Sequence, residues 1–505
     1  MFVNYHLRLC VAFLMFASVF YAPTLLASNT ELTKILLART LATTPIIDDL
    51  RELTSTIGGR PTGSAAMDKA VNWSLAKFNA AGLENVHAEQ YTPPRNWLAN
   101  IETGELILVN SKQQIIAHHP LRIAAMPFSA STVKEGLEAE IYSIGSADEK
   151  AFSLAGDKVK GRWLLVNTPL MKKLDDMDKD VAAIFARAKK SKAAGVLWKA
   201  NRSGRILYRH TLTFNGSMSS LPAAIIEREE GDNISQLLKS GQKVKAKLNI
   251  QNEVQEKPIN RNVVAEITGW EKPDEVIVLG AHLDSWDLGE GALDNGSNSV
   301  LVIDAARQMM ALANEGHRPR RTIRFMLYSG EELGLYGSWF DVQNHRDQLD
   351  KIKAVLIYDI GTGRTTGFSL EGRNDMATHI EQALKPLSPA FGPFVQTFDA
   401  SMDTDNFDYL IEGIPTLVAN QDEEPYLASY HAETDTFEKV DKHELKRNTA
   451  IASVLIWNLA NKEGELAERQ NHAKVIALLK RTGLDTDMKE NQIWDDFIKG
   501  RRGRV

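Results

Sequence analysis

The chain has 505 residues, of which 43% are hydrophobic and 25% are charged, and its formal net charge is −6. This length favours two or three domains, and the ordinary composition argues against a largely disordered chain. Because the chain as a whole has no net positive charge, nucleic acid is not expected as a partner.

The first element is an apolar run, Leu9–Leu26, which His6 and Arg8 precede and Ala27 follows. This pattern is typical of a secretory signal peptide that is cleaved near Ala27, and no stable membrane span is expected after cleavage. A retained membrane anchor is the alternative, because the run approaches spanning length. Cys10, the single cysteine, lies in this segment. The mature chain is therefore expected to lack a cysteine nucleophile, a cysteine zinc site and disulfides, which suits a secreted or periplasmic protein.

The next elements are predicted helices followed by a strand. Apolar residues at three-to-four spacing predict helix over Asn29–Thr56 and over Met67–Ala81. A strand is predicted over Val86–Tyr91. From about residue 119 the pattern changes to short strands and one helix without clustered metal-type side chains, so an inserted domain is expected there.

Three later apolar runs of strand length each lead into side chains that can bind metal. The runs and the side chains are Val276–Gly280 with His282 and Asp284, Ile323–Tyr328 with Glu331 and Glu332, and Ala354–Tyr358 with Asp359. Asp294 lies in a glycine-rich turn before a predicted helix, Asn298–Leu312. In an open α/β sheet, ligands gather beyond the carboxyl ends of the strands. These side chains are therefore expected to meet, and His431 in SYHAETDT can supply a second imidazole.

These residue types suit the hydrolysis of a peptide bond. The reaction needs an activated water, neutralisation of a tetrahedral oxyanion and a proton for the leaving amine. Two divalent cations about 3.5–4 Å apart can meet the first two needs. Such a site takes one shared ligand and two further ligands for each ion. Five residues meet this requirement: His282, Asp294, Glu332, Asp359 and His431. Imidazole with carboxylate favours two Zn²⁺ ions, with Co²⁺ or Mn²⁺ as alternatives.

Two further carboxylates are expected to support this site. Glu331 and Glu332 are adjacent, so their side chains diverge and one can face the metal while the other faces the bridging water. A carboxylate beside that water can act as general base and return the proton to the leaving nitrogen. Asp284 shares a face with His282 in extended chain, so we expect it to orient the His282 ring.

Taken together, the motifs resemble peptidase family M28, the co-catalytic zinc exopeptidases, and within it the carboxypeptidase Q-type subgroup. The resemblance rests on HLDSW, GALDNGS, GEELGLYGS, YDIG and YHAETDT and covers about residues 40–460. The ligands that it implies are the bridging Asp294, then His282 and Asp359 on one ion, and Glu332 and His431 on the other.

The resemblance also implies roles for residues that bind no metal. Glu331 would be the general base, and the hydroxyl of Tyr430 would stabilise the tetrahedral intermediate. Asp403 would be a supporting aspartate. A cis peptide bond is expected after Asp294.

The fold class that follows is α/β, with a mixed central sheet and helices on both faces, the zinc exopeptidase fold, plus an inserted protease-associated domain. The expected division is a signal peptide over 1–27, a catalytic domain over 28–118 and 256–465, a protease-associated-like domain over 119–255, and a helical tail over 466–505. The basic end of this tail is expected to be frayed. The resemblance also raises a homodimer as an option.

The expected function is a dinuclear zinc exopeptidase that hydrolyses short peptides or dipeptides through a bridging water activated by Glu331. Whether it reads the free amine or the free carboxylate of the substrate stays open. One alternative is a related amidohydrolase or a glutaminyl cyclase on the same fold, of which the cyclase would bind one zinc. Another is a non-catalytic binding protein that uses the protease-associated-like domain. The complete ligand set and Glu331 argue against this last alternative.

Overall fold

The computed structural model describes Met1, residues 28–176 and residues 180–503. The signal peptide and the alternative membrane anchor expected within 1–27 therefore lie, apart from Met1, outside the described residues. Within the described ranges, no helix combines the length and the apolar character needed to cross a membrane.

The strands of the described residues form two eight-stranded sheets. In chain order they are β1 Glu84–Tyr91, β2 Arg95–Val109, β3 Ile115–Leu121, β4 Ile123–Ala125, β5 Leu137–Gly145, β6 Trp163–Val166, β7 Gly195–Lys199, β8 Ala223–Ile226, β9 Lys243–Glu256, β10 Asn260–Ile267, β11 Lys272–His282, β12 Arg321–Tyr328, β13 Ile352–Ile357, β14 Thr365–Ser369, β15 Val395–Thr397 and β16 Thr416–Gln421.

The α-helices lie mostly around the first sheet. In chain order they are α1 Asn29–Leu41, α2 Ile46–Arg51, α3 Ala65–Ala80, α4 Glu149–Ala155, α5 Val181–Lys190, α6 Arg228–Lys239, α7 Ser297–Asn314, α8 Tyr336–Asn344, α9 Ala377–Leu384, α10 Ser388–Phe391, α11 Asn406–Ile411, α12 Glu424–Leu427, α13 Lys442–Asn461, α14 His472–Thr482, α15 Leu484–Glu490 and α16 Trp494–Ile498.

The first sheet has the strand order β1-β10-β12-β11-β13-β16-β14-β15. Its four central strands, β12, β11, β13 and β16, run parallel, and antiparallel pairs join β10 and β14 to this centre. Because parallel strands end at the same edge, the residues that follow the four central strands meet there. The mixed α/β class expected from the sequence is confirmed.

Strand β11 is buried on both faces, which explains its unbroken apolar sequence. Ile277 and Leu279 face a core that α1, α7 and α13 also form, whereas Val276 and Val278 face a second core with Tyr409 of α11. Burying each of these side chains contributes about 1.5–3 kcal/mol. Helices thus cover both faces of the sheet and hold its carboxyl edge rigid.

The second sheet has the order β3-β2-β9-β5-β6-β7-β8-β4 and combines a long antiparallel pair, β2 with β9, with the parallel strands β5 to β8. It extends from Arg95 to Glu256. Its first strand therefore begins ahead of the boundary expected at residue 119. The division into domains and the likeness to a protease-associated domain stay predictions.

The single helix expected over Asn29–Thr56 is wrong, because the chain breaks between α1 and α2. Pro45 stands at this break, directly before α2. Proline lacks the N–H that a continuous helix needs, and its ring collides with the preceding turn. A π-helical segment, Glu52–Ile57, then follows α2. The helix expected over Met67–Ala81 is confirmed as α3.

The C-terminal tail carries a buried arginine, so the frayed end expected from its charge is wrong as far as residue 503. Arg502 is 2% exposed and donates two hydrogen bonds to the buried carboxylate of Asp408, at 2.7 and 2.9 Å. It also donates to the carbonyl of Gly334, at 3.2 Å, and lies over the rings of Trp339 and Phe407. A buried carboxylate such as that of Asp408 needs a cationic partner, and here this partner is Arg502 of the tail.

Replacement of this arginine should destabilise the whole protein. We expect Arg502→Ala to lower the free energy of unfolding by about 3–5 kcal/mol, because Asp408 would keep a buried charge without its partner. Arg501→Ala is the matched control, since the Arg501 side chain is 58% exposed and pairs with Asp496 at the surface. It should cost less than about 1 kcal/mol. Urea unfolding measures both, and equal losses would contradict the anchoring role.

Candidate metal centre

The predicted metal-binding side chains meet at the carboxyl edge of the four parallel strands. His282 is the last residue of β11, while Glu332 follows β12, Asp359 follows β13 and His431 follows β16. Asp294 lies in the turn that leads into α7. The topology therefore brings together side chains that are up to about 150 positions apart in the sequence, and all five are at least nine-tenths buried.

These five side chains form two groups that share Asp294. In the first group, His282 Nε2 lies 2.9 Å from Asp359 Oδ1 and 3.2 Å from Asp294 Oδ1. In the second group, His431 Nε2 lies 2.9 Å from Glu332 Oε2 and 3.4 Å from Asp294 Oδ2. One carboxylate oxygen of Asp294 thus faces each group.

Both imidazoles present Nε2 to the carboxylates because Nδ1 faces a backbone carbonyl. His282 Nδ1 lies 2.9 Å from the carbonyl oxygen of Asp284, and His431 Nδ1 lies 3.1 Å from that of Arg209. A carbonyl oxygen only accepts, so Nδ1 carries the ring proton and the lone pair of Nε2 points into the group. This is the tautomer that a metal ligand requires.

The donor set fits divalent cations. Four buried carboxylate oxygens have no hydrogen-bond donor among the described residues: Asp294 Oδ2, both oxygens of Glu332 and Asp359 Oδ1. Two of them lie 2.9 Å from a ring Nε2, which has no proton to donate in the neutral tautomer that a metal ligand requires. Buried anionic oxygens without donors are costly, and two metal ions of charge +2 would satisfy them.

The electrostatics of the site also indicate that it needs cations. Burial raises the pKa of Glu331 and of Glu332 well above the usual value, and the neighbouring carboxylates raise it further. Burial opposes protonation of His282, but the charges of Asp359 and Glu331 outweigh it and raise its pKa. For His431, burial prevails and lowers the pKa to about 4. The described side chains around the site therefore supply too little positive charge to neutralise its buried carboxylates.

The turn that carries Asp294 is held by Asp435. The backbone N–H groups of Leu293 and Asp294 donate to the two carboxylate oxygens of Asp435, at 2.6 and 3.0 Å. Burial raises the pKa of Asp435 to about 7. The peptide bond between Asp294 and Asn295 is cis, as the resemblance implies. Sequence reasoning missed Asp435, although it lies in the same YHAETDT motif as His431.

Asp284 lies beside His282 as expected, but the ring contact is made by its backbone. The carboxylate oxygen Oδ1 of Asp284 is 3.6 Å from His282 Nδ1, farther than the carbonyl oxygen at 2.9 Å. The other oxygen, Oδ2, accepts a hydrogen bond from the Thr62 hydroxyl at 2.8 Å. Thr62 in turn accepts from the backbone N–H of Gly330, at 2.8 Å, which links Asp284 to the segment before Glu331.

Glu331 and Tyr430 border the two groups without belonging to either. Glu331 Oε2 lies 3.9 Å from His282 Nε2, and its side chain is nearly buried. The ring of Tyr430 stacks on that of His431, with centroids 3.7 Å apart. Burial opposes ionisation of Asp294, but His282 and His431, and to a smaller extent the hydroxyl of a second tyrosine, Tyr426, lower the pKa of that carboxyl.

The expected supporting aspartate, Asp403, is exposed and lies outside both groups. The buried acid in this segment is Asp405, two residues later and fully inaccessible to solvent. Burial raises its pKa well above the usual value, and the charge of Asp359 contributes to the increase. Both residues lie in the DTDN segment, and α11 begins directly after Asp405, so only the three-dimensional structure shows which one faces the site.

Comparison with known proteins agrees with this geometry. Residues 262–456, which include all five side chains, match the model of peptidase family M28. The expected resemblance to this family and the expected enzyme class, a metallopeptidase, are confirmed.

Individual family members cover most of the chain. Carboxypeptidase Q from Mus musculus is 27% identical over 411 residues, which are 81% of this chain and 84% of the relative. A crystal structure of a Peptidase M28 precursor from Shewanella amazonensis SB2B superposes with a TM-score of 0.77 at 25% identity, over 88% of this chain and 99% of the other. BSAP, a zinc aminopeptidase from Bacillus subtilis, gives a TM-score of 0.64 at 19% identity, over 84% and 96%. At that identity the likeness shows the fold alone.

Proposed function

We propose that this chain is a dinuclear zinc exopeptidase that hydrolyses short peptides or dipeptides. The observation that carries the proposal is the carboxylate of Asp294, which offers one oxygen to each of two groups of metal-binding side chains. One shared and two private ligands for each ion is the arrangement that a two-metal hydrolase needs. Imidazole and carboxylate ligands favour zinc, which the name of the Bacillus subtilis relative also contains.

Each group would hold one ion. His282 and Asp359 would bind the first ion, Glu332 and His431 the second, and Asp294 both. When bound, the ions supply the positive charge that activates the attacking water and neutralises the developing oxyanion. The chain supplies the orientation, because its two imidazoles are held by backbone carbonyls with Nε2 facing inward.

Glu331 is the proposed general base. It lies beside His282 but outside both metal groups, so its carboxylate is free of the ligand role. Burial, together with the neighbouring acids, raises its pKa, which favours the acceptance of a proton by this carboxylate. In our proposal it takes the proton of the attacking water and delivers it to the leaving amine nitrogen.

A cavity beside the second group would receive part of the substrate. It is lined by Trp286, Gly289, Gly291, Asp294, Glu332, His431, Ala432 and Asp435. The names of the relatives point to opposite ends of a peptide, carboxypeptidase and aminopeptidase, so the end that is read must be measured.

The test combines metal content with a substrate screen. We expect two zinc ions per chain by elemental analysis, hydrolysis of free dipeptides, and complete loss of activity after chelation with recovery on adding zinc. Dipeptides blocked at the amine or at the carboxylate show which end is read, because only one block should abolish cleavage. One zinc per chain together with cyclisation of N-terminal glutamine would support the cyclase alternative. Fully metallated protein that leaves every short peptide intact would contradict the proposal.

The base is tested by Glu331→Gln. Because the amide cannot accept the proton, we expect kcat to fall by about 10²–10⁴-fold while two metal equivalents remain bound. Glu332→Gln is the matched control, since the adjacent residue is a proposed ligand and its loss should weaken one equivalent. Steady-state kinetics and metal analysis distinguish the two. A Glu331→Gln enzyme near the wild-type rate would assign the proton transfer to another group.

The roles of the two tyrosines near Asp294 can be distinguished by removing one hydroxyl at a time. If Tyr430 stabilises the oxyanion, Tyr430→Phe should lower kcat by about 10²–10³-fold with metal affinity unchanged. Tyr426→Phe should instead change metal affinity, because the Tyr426 hydroxyl favours the ionised form of the Asp294 carboxyl. Kinetics and zinc titration of both variants measure this, and the reverse pattern would transfer the oxyanion role to Tyr426.

A further inference from the structure

The ring of His431 is held by a segment that belongs to the second sheet. This segment lies between β7 and β8, outside residues 262–456 that match family M28. His431 Nδ1 donates to the carbonyl of Arg209 at 3.1 Å, and the backbone N–H of Arg209 donates back to the carbonyl of His431 at 3.0 Å. An antiparallel bridge between Tyr208 and Ala432 extends this contact. The His431 segment is thus paired with the connection between β7 and β8 of the second sheet.

The side chain of Arg209 fixes the position of that carbonyl. Its guanidinium is completely buried and donates to Glu102 of β2 at 2.9 and 3.0 Å, and to Asp287 at 2.5 and 2.8 Å. A fifth hydrogen bond reaches the carbonyl of Ala125 at 2.9 Å. All five N–H donors of the guanidinium are therefore used, which leaves this side chain a single orientation. Asp287 follows His282 along the chain, so Arg209 joins the second sheet to the segment after β11.

Aromatic contacts connect the same guanidinium to the other side of the His431 ring. Arg209 lies over Trp97 at 5.4 Å, Trp97 contacts Trp286 edge to face at 6.4 Å, and Trp286 contacts His431 in the same way at 6.2 Å. His431 also has a φ of +58°, in the left-handed region that side chains other than glycine rarely adopt. Such a conformation persists where surrounding contacts determine it, and here Arg209 and Trp286 provide them.

The two histidines differ in this respect. His282 is oriented by the carbonyl of Asp284, two residues away in its own segment, so the first group is complete within the residues that match family M28. His431 depends on a carbonyl from the other sheet. We propose that Arg209 is a positioning residue for His431 and that the second sheet thereby completes one of the two metal positions. This inference rests on the proposed two-metal function.

The experiment is a zinc titration of the metal-free full-length chain and its Arg209→Lys variant, measured by calorimetry in competition with a chelator. Lysine keeps the charge but cannot donate to Glu102, Asp287 and Ala125 with one planar group. Loss of an outer contact to a ligand typically costs about 10–100-fold in metal affinity. We therefore expect one equivalent to weaken by that factor and the other to stay unchanged. His431→Ala identifies the equivalent, because it should weaken the same one.

Arg321→Lys is the matched control. Arg321 is also completely buried, and it donates to Glu275 at 2.7 Å and to the carbonyls of Lys462 and Gly464. It lies at the amino end of β12, the end opposite the metal groups. This variant should lower the melting temperature while both equivalents keep wild-type affinity. If it weakens zinc binding as Arg209→Lys does, the effect is a general loss of packing and the proposal is overturned.

Glu102→Gln covers the case in which Arg209→Lys does not fold. It removes one charge from the pair but keeps the guanidinium in place, so a smaller loss in the same equivalent is expected. Wild-type affinity at both equivalents in every folded variant would overturn the positioning role. A wild-type chain that binds only one zinc would contradict the two-metal function instead. The positioning role would then be judged by whether His431→Ala and Arg209→Lys both weaken that single zinc.

Discussion

The constraint on which the site depends is the burial of several carboxylates around Asp294. A single ionised carboxylate is stable in water. When several are buried together, they repel one another, and some of their oxygens lack hydrogen-bond donors. The surrounding chain holds the Asp294 turn and the two imidazole rings in position. Asp435 holds the Asp294 turn, and backbone carbonyls hold the rings of His282 and His431. The buried carboxylates still need positive charge at two adjacent positions. Two bound cations would supply it to the enclosed ligand set.

Much of the first sheet and of the ligand set could be predicted, because both rest on local patterns. Unbroken apolar runs show strands buried on two faces, and parallel strands bring the residues after them, such as His282 and Asp359, to one edge. Contacts between distant segments leave no such pattern. The sequence does not distinguish Asp403 from Asp405, since both are acids in one short polar segment. The partner of Arg502 was unpredictable because it depends on the burial of Asp408.

The two sheets are connected through the segment that carries His431. Besides the Arg209 contacts, Arg202 donates to the carbonyl of Tyr430, and Arg122 pairs with Glu433 at 2.6 Å. Each of these arginines belongs to the stretch between β3 and β8, while their partners flank one proposed ligand. The second sheet therefore contributes to the shape of the site as well as to its surroundings. A peptidase core without this sheet would keep the His282 group and lose the support of the other.

The anchored tail connects the C-terminal helices to the metal centre. Arg502 binds both Asp408 and the carbonyl of Gly334, which follows the proposed base and ligand on the same short segment. Removal of the tail that carries Arg502 would therefore also remove a brace from the segment that carries Glu331 and Glu332.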